Sequence, residues 1–245
     1  MAQTTYDEPE FFRAYESLER SHRGLERAWE WPAMRSLLPD FRNARVLDIG
    51  CGFGALCRYA RQQGAQSVLG VDASQKMLAR AATLTGDPAI VFRHAGIEEE
   101  QFEAGAFDVA VSSLTLHYVE RFDLVAAKVF ACLAPGGAFA ISVEHPICTA
   151  IGDHIVFRMH TGGMHWPLRD YMSEGARNTE WLGGRHIKYH RTVATYVNTL
   201  LDAGFSLQRL LEPKPEAARI AENSSLSLDL MRPMFLLLSA IKPRA

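Results

Sequence analysis

Cysteine is scarce in this chain, with four residues (Cys51, Cys57, Cys132 and Cys148) among 245 and no pair spaced CxxC. That excludes a disulfide framework and the usual thiolate metal motifs. No apolar run approaches the roughly 18 residues of a membrane-spanning helix. The opening residues, Met1 to Glu8, have no basic n-region and no apolar stretch, so a secretory signal is not expected. An excess of charge is also missing: 26 Lys and Arg face 28 Asp and Glu, a formal net charge of −2. No basic face follows from that total, so neither nucleic acid nor an anionic membrane is expected as partner. Repeats and low-complexity tracts are absent. The expectation is a reduced, cytoplasmic protein of ordinary globular composition, with 48% hydrophobic and 22% charged residues.

What the chain does contain is a rhythm. Residues 1–40 read as a helical cap. Phe12, Tyr15, Leu18 and Leu25 fall near a helical period, which Trp29-Glu30-Trp31-Pro32 breaks. From Arg45 short apolar runs alternate with helical stretches. Strands are predicted at 46–49, 67–72, 90–94, 107–112 and 138–144, and helices at 55–63, 74–84 and 123–133. Such alternation predicts βαβ units and a doubly wound α/β fold, with a mostly parallel sheet covered on both faces. The pattern lapses between 146 and 190, then resumes with a helix at 192–203 and strands at 205–211 and 235–241. The chain therefore divides into a cap (1–40), a core (41–145), an insertion (146–190) and the rest of the core (191–245), within a single domain.

The strongest chemical signal is Val46-Leu47-Asp48-Ile49-Gly50-Cys51-Gly52-Phe53-Gly54. A buried strand enters a turn of three alternate glycines and then a helix. Such a turn lets a ligand lie against bare backbone, and the helix start offers free N–H groups. The second strand ends at Asp72, where a carboxylate can accept hydrogen bonds from the hydroxyls of an adenosine ribose. A dinucleotide would bring its pyrophosphate to the glycine turn, where Asp48 is unwelcome. S-adenosylmethionine (SAM) carries an ammonium and a sulfonium and no phosphate, and suits Asp48 better. A phosphate-binding loop of the form GxxxxGK[ST] is missing.

Four blocks in order, Val46–Gly54, Val68–Ser74, Phe107–Val119 (FDVAVSSLTLHYV) and Leu133–Glu144 (LAPGGAFAISVE), resemble class I SAM-dependent methyltransferases of the bacterial small-molecule type. The resemblance covers about residues 40–145. It implies a seven-stranded sheet whose last strand is antiparallel and lies between the fifth and sixth. It implies that Asp48, Gly50, Cys51 and Gly52 line the methionine and ribose part of the cofactor, that Asp72 holds the ribose, and that Ala73 and Met77 flank the adenine. Gly96 stands where the family often has an acid, which leaves adenine to the backbone of Gly96 and Ile97 or to Glu98. Ser113 and Leu114 are implied to meet the cofactor's amino-acid end. In the cap, Tyr15 and Arg20 are the polar side chains expected to reach the cofactor, Arg20 toward its carboxylate.

Methyl transfer from a sulfonium is an in-line displacement, so alignment and exclusion of water are the protein's main tasks. A hydroxyl or carbon acceptor also needs a base. His117 and His145, beyond the fourth and fifth strands, are the candidates. The insertion reads as a lid whose Trp166, Trp181 and Tyr189 wall the acceptor pocket. Its aromatic residues suit a small, partly apolar acceptor. Its six Lys and Arg against four Asp and Glu, counted over 145–191, would tolerate an anionic one. Six histidines lie between His145 and His190, but their spacing fits no zinc pattern, and no metal is expected. Ser112-Ser113-Leu114 differs from the Asn/Asp-Pro-Pro-Tyr type found in enzymes that methylate nucleic acid bases or glutamine amides. Two alternatives stay open: a non-catalytic SAM-binding protein and a nicotinamide-dependent oxidoreductase.

Overall fold

The computed structural model of the chain describes residues 5–19, 21, 24–151, 157–158 and 164–244. Its centre is a seven-stranded sheet made of β1 (Arg45–Ile49), β2 (Ser67–Asp72), β3 (Ile90–His94), β4 (Phe107–Ser113), β5 (Leu133–Glu144), β10 (Ser206–Leu211) and β11 (Phe235–Ile241), in the order β10-β11-β5-β4-β1-β2-β3. Strands β1 to β5 are parallel, and β11 runs antiparallel between β5 and β10. Between β5 and β10 the chain forms two antiparallel pairs, the short β6 (Phe157–Arg158) with β7 (Met164–His165), and the longer β8 (Gly175–Trp181) with β9 (Gly184–His190).

Strand alternation sends successive side chains to opposite faces, and β1 shows the result. Leu47 and Ile49 join the core under α5 (Phe122–Cys132) and α7 (Val193–Asp202), with Phe122, Val125, Val129, Tyr196 and Leu200. Val46 joins the opposite core under α2 (Trp31–Leu37) and α3 (Ala55–Gln62), with Trp31, Met34, Leu56 and Cys57. Leu47 and Ile49 have no exposed surface, and truncating either to alanine should cost about 2–5 kcal/mol. The further α-helices among the described residues are α1 (Pro9–Glu16), α4 (Gln75–Thr83), α6 (Pro146–Thr149) and α8 (Ala217–Glu222).

Two local expectations change. Trp31-Pro32 begins a helix: proline sits in the first turn of α2, where its missing N–H is no loss. The insertion is not purely loop, because residues 175–190 form a hairpin closed by Leu182-Gly183. Both turn residues have positive φ (50° and 75°), as the tight two-residue hairpin turn demands. Among the described residues, no helix is long and apolar enough to cross a membrane.

Candidate active site

The carboxyl ends of β1, β2, β4 and β5 meet one edge of the sheet, and β11 begins there. A cavity of about 340 Å³ lies along that edge, a size that encloses a small ligand. Asp72 at the end of β2 and Glu144 at the end of β5 both line it. They are three inter-strand steps apart in the sheet order, or about 14 Å at ~4.8 Å per step.

At the β2 end the backbone holds Asp72. Its Oδ2 accepts from Gly52 N at 2.8 Å and its Oδ1 from Ser74 N at 2.8 Å. Burial raises its pKa against those hydrogen bonds, so the site favours further donors to the carboxylate. Gly50 and Gly52 have φ of 72° and 52°. A Cβ on Gly50 would strike the Thr115 side chain at 2.1 Å, whereas one on Gly52 would meet no protein atom within 4 Å. Gly52 therefore keeps open a space that belongs to the cavity. Ala73, Met77, Gly96, Ile97, Glu98, Ser113 and Leu114 line the same cavity. Leu114 has φ of 55°, a strained value for leucine, and its N–H donates to Ser142 O at 2.9 Å. The Glu98 carboxylate accepts from Arg121 N at 2.8 Å, so it is engaged at the start of α5.

A smaller hollow of about 70 Å³ adjoins, sharing Tyr15, Gly50, Gly52 and Ser113 and adding Asp48 and Cys51. Asp48 is 1% exposed and accepts from Cys57 Sγ at 3.0 Å. Burial pushes its pKa up to about 7, with the charge of Asp72 adding to the rise. A cationic group in this hollow would relieve that strain. The tight backbone turn, the hydroxyl-seeking Asp72 and the buried acid of the adjoining hollow, which would repel a phosphate, together fit an adenosyl ligand bearing an ammonium.

Similarity to known proteins agrees with that geometry. The family profile described as "Methyltransferase domain" matches residues 47–141. The crystal structure of an S-adenosylmethionine dependent methyltransferase from Mesorhizobium loti superposes with a TM-score of 0.84, at 43% identity over 89% of this chain and 100% of that one. This chain belongs to the SAM-dependent methyltransferases. S-adenosylmethionine is its cofactor. A Haemophilus influenzae protein of uncharacterized role is 32% identical over 229 residues, 86% of each chain. A trans-aconitate 2-methyltransferase of Deinococcus radiodurans is 32% identical over 129 residues, 52% of this chain and 46% of its own length.

At the β5 end of this methyltransferase the candidate bases behave differently from expectation. His117 lines the cavity. Its Nδ1 accepts from Glu144 N at 3.3 Å, which puts the neutral ring's proton on Nε2. Burial lowers its pKa to about 3. In that state it is a hydrogen-bond donor to the cavity and a poor base. His145 does not line the cavity. Its Nδ1 accepts from Ile147 N at 3.1 Å, capping α6, and its Nε2 donates to Glu212 Oε1 at 2.8 Å. It serves the fold because the first turn of α6 needs an acceptor.

Of the three aromatic candidates in the insertion, Trp181 lines the cavity. It packs on Phe11 at 5.7 Å and on Tyr15 at 6.1 Å. Trp166 lies elsewhere, under the Arg232 guanidinium at 3.7 Å. Tyr189 faces away from the cavity and donates to Glu120 Oε2 at 3.4 Å, as expected of a neighbour one step along β9 from the inward Lys188. Arg20 falls outside the described residues. Tyr15 does line both hollows.

Sequence reasoning missed Tyr6, Tyr118, Glu144 and Lys188, all of which line the cavity. Lys188 Nζ lies 2.6 Å from Glu144 Oε2. Tyr6 donates to Tyr118 Oη at 3.4 Å. The Tyr6 turn is anchored at both ends: Asp7 Oδ1 accepts from Ser74 Oγ at 2.7 Å and Lys76 N at 3.0 Å, and Thr5 Oγ1 donates to Arg185 O at 2.9 Å. Glu144 ends a block already singled out, and a carboxylate closing a buried strand at the ligand edge was the available signal.

Proposed function

We propose that this methyltransferase acts on a small molecule enclosed in the cavity, with the cofactor at the β1–β2 end and the acceptor at the β4–β5 end. The single observation that carries the reading is the cavity itself. It is walled by Tyr6, Tyr15, Trp181 and Tyr118, and the hydrogen bonds of Thr5 and Asp7 on either side hold Tyr6 in that wall. A macromolecular acceptor would need an open approach to the methyl group. The net charge of −2 gives nucleic acid no electrostatic footing. Named curated relatives include ubiquinone biosynthesis O-methyltransferases and a malonyl-[acyl-carrier protein] O-methyltransferase, each matched over roughly half its length, so their acceptors do not decide this one.

In this reading Asp72 takes the ribose hydroxyls, and Gly50 and Gly52 let the ligand lie on bare backbone. Met77, Ala73 and the backbone of Gly96 and Ile97 bracket the adenine. Asp48 and Ser113 face the amino-acid end across the smaller hollow, with Tyr15 above. The cofactor supplies an already activated methyl on a sulfonium. The chain's residues then orient the acceptor in line and keep water out. Residues 164–190 serve as part of the lid through Trp181. All four cysteines are free thiols, which suits a reducing, cytoplasmic setting. The test is to incubate the protein with methyl-labelled SAM and a cell extract split by ultrafiltration. Label is expected in the low-mass fraction; label in protein or nucleic acid overturns the proposal.

A further inference from the structure

Two of the four thiols lie together. A Cβ added to Gly70, in the middle of β2, would stand 2.9 Å from Cys51 Sγ and 2.9 Å from Cys57 Sγ. The bare glycine therefore leaves one niche that both sulfurs share, and the two thiols hydrogen-bond there. Cys132 and Cys148 have other neighbours. Cys132 donates to Val129 O at 3.4 Å, and Cys148 lies beside Pro233, Met234 and Arg232.

The pair meets the cofactor site at two points. Cys57 has no exposed surface and donates to Asp48 Oδ2 at 3.0 Å. Cys51 lines the smaller hollow and stands in the turn between Gly50 and Gly52. A small solute reaches Cys51 through that hollow, and a bound cofactor would bar the way.

We propose that Cys51 and Cys57 form a reversible disulfide, with hydrogen peroxide as oxidant, and that this bond lowers the affinity for S-adenosylmethionine. The inference rests on the reading that puts the cofactor's ammonium beside Asp48. Cys51 gives up its proton, and its sulfur attacks one peroxide oxygen. The oxygen–oxygen bond breaks, and hydroxide leaves and takes that proton to become water. The Cys57 sulfur then attacks the Cys51 sulfenic acid. The sulfur–sulfur bond forms as the sulfur–oxygen bond breaks, and the hydroxyl leaves as water with the Cys57 proton. Two thiols are oxidised and one peroxide is reduced to two waters. A dithiol reductant reverses the step by exchange.

The hydrogen bond between the thiols sets the order of attack, since it favours the Cys51 thiolate and disfavours that of Cys57. Burial and the charges of Asp48 and Asp72 still carry Cys51 up to about 11. The pair therefore rests as two thiols and oxidises slowly. A disulfide has no S–H, so Asp48 loses the Cys57 donor. That bond is the largest force opposing burial at the Asp48 carboxyl. Without it Asp48 keeps its proton at neutral pH and cannot pair with an ammonium. Closing the sulfurs together also draws Cys51 inward and shifts the turn on which the ligand lies.

The test treats the full chain with excess hydrogen peroxide and then removes it. Mass spectrometry of unreduced peptides maps the cysteines, and calorimetry measures S-adenosylhomocysteine binding. A Cys51–Cys57 cross-link is expected, with affinity at least tenfold weaker and restored by dithiothreitol. Saturating S-adenosylhomocysteine during treatment should suppress the cross-link at least tenfold. Cys51→Ser cannot form the bond, and its own affinity should be the same before and after peroxide. Wild type alone decides if that variant does not fold. No cross-link, a cross-link with unchanged affinity, a cross-link that forms as readily under saturating ligand, or a loss that dithiothreitol fails to restore overturns the inference. So does an equal, dithiothreitol-reversible loss in Cys51→Ser. Reduced Asp48→Asn that binds the ligand as reduced wild type does would overturn the placement of the ammonium alone, because mapping, protection and reversal are read without it.

Discussion

Asp48→Asn should make the unliganded protein more stable at pH 8 while damaging its cofactor site. Asp48 is fully buried, and burial raises its pKa from 3.8 to about 7. An acid with a raised folded pKa contributes stability below its unfolded pKa and loses it as pH rises through the folded value. The loss accumulates between about pH 4 and 7, a span of about three units, each worth about 1.4 kcal/mol. The penalty is therefore on the order of 4 kcal/mol at pH 8, and asparagine, which keeps an acceptor for the Cys57 thiol, escapes it. Urea denaturation of both proteins without ligand, from pH 4.5 to 8.5, measures the difference. The variant should gain on wild type by about 1.4 kcal/mol per unit up to about pH 7 and then run parallel. With ligand the order reverses. An ammonium beside Asp48 needs the carboxylate ionised, so wild-type affinity for S-adenosylhomocysteine should fall about tenfold from pH 8 to 6, and the variant should show no such fall. A stability gap that does not change with pH, or equal ligand affinity in both proteins, would refute the reasoning.

Asp72→Ala should weaken S-adenosylhomocysteine binding by roughly 10- to 150-fold, from lost hydrogen bonds worth about 1.5–3 kcal/mol; unchanged affinity in calorimetry would remove Asp72 from the site. Gly50→Ala should destabilise by about 1–3 kcal/mol or more, because its φ is positive and Thr115 occupies the Cβ position. Gly52→Ala, strained in φ but unobstructed by protein, should lose ligand affinity beyond any loss of stability, which thermal melts with and without ligand separate. His117→Gln should gain about 2 kcal/mol on wild type between pH 7 and 5, because a histidine held neutral down to about 3 loses its stabilising contribution as pH falls below its unfolded value. Acid denaturation curves check it. Trp181→Ala should impair acceptor turnover more than stability, whereas Trp166→Ala and Tyr189→Ala should leave the acceptor kinetics of the folded protein unchanged.

The parallel core was legible because its cause is local. Continuous apolar strands such as Val68–Val71 and the glycine turn after β1 each announce one structure only. The inverted β11 was available through family resemblance, since nothing in Phe235–Ile241 states a direction. The hairpin at 175–190 was hidden by its own chemistry. Its inward positions on β9 are His186, Lys188 and His190, all buried, so the alternation is real but carries no hydropathy signal. The turn Leu182-Gly183 also lacks the Asn-Gly signature that marks such hairpins. The histidine roles were illegible for a related reason. Position at a strand end is visible in sequence, but which ring nitrogen meets a backbone N–H is not. His117 and His145 both spend Nδ1 on such a bond.

Residues 5–7 tie the start of α4 to the β8–β9 hairpin, with Tyr6 between them over the cavity. The fastening comprises four polar bonds, at about 0.5–1.5 kcal/mol apiece, and the packing of the Tyr6 ring against Phe11, Tyr15, Tyr118 and His186. Because both anchorages belong to the same three residues, a change in that segment bears on the nucleoside and acceptor ends together. The two compartments thus share one short wall segment, which couples their shapes although the rest of their walls comes from different strands.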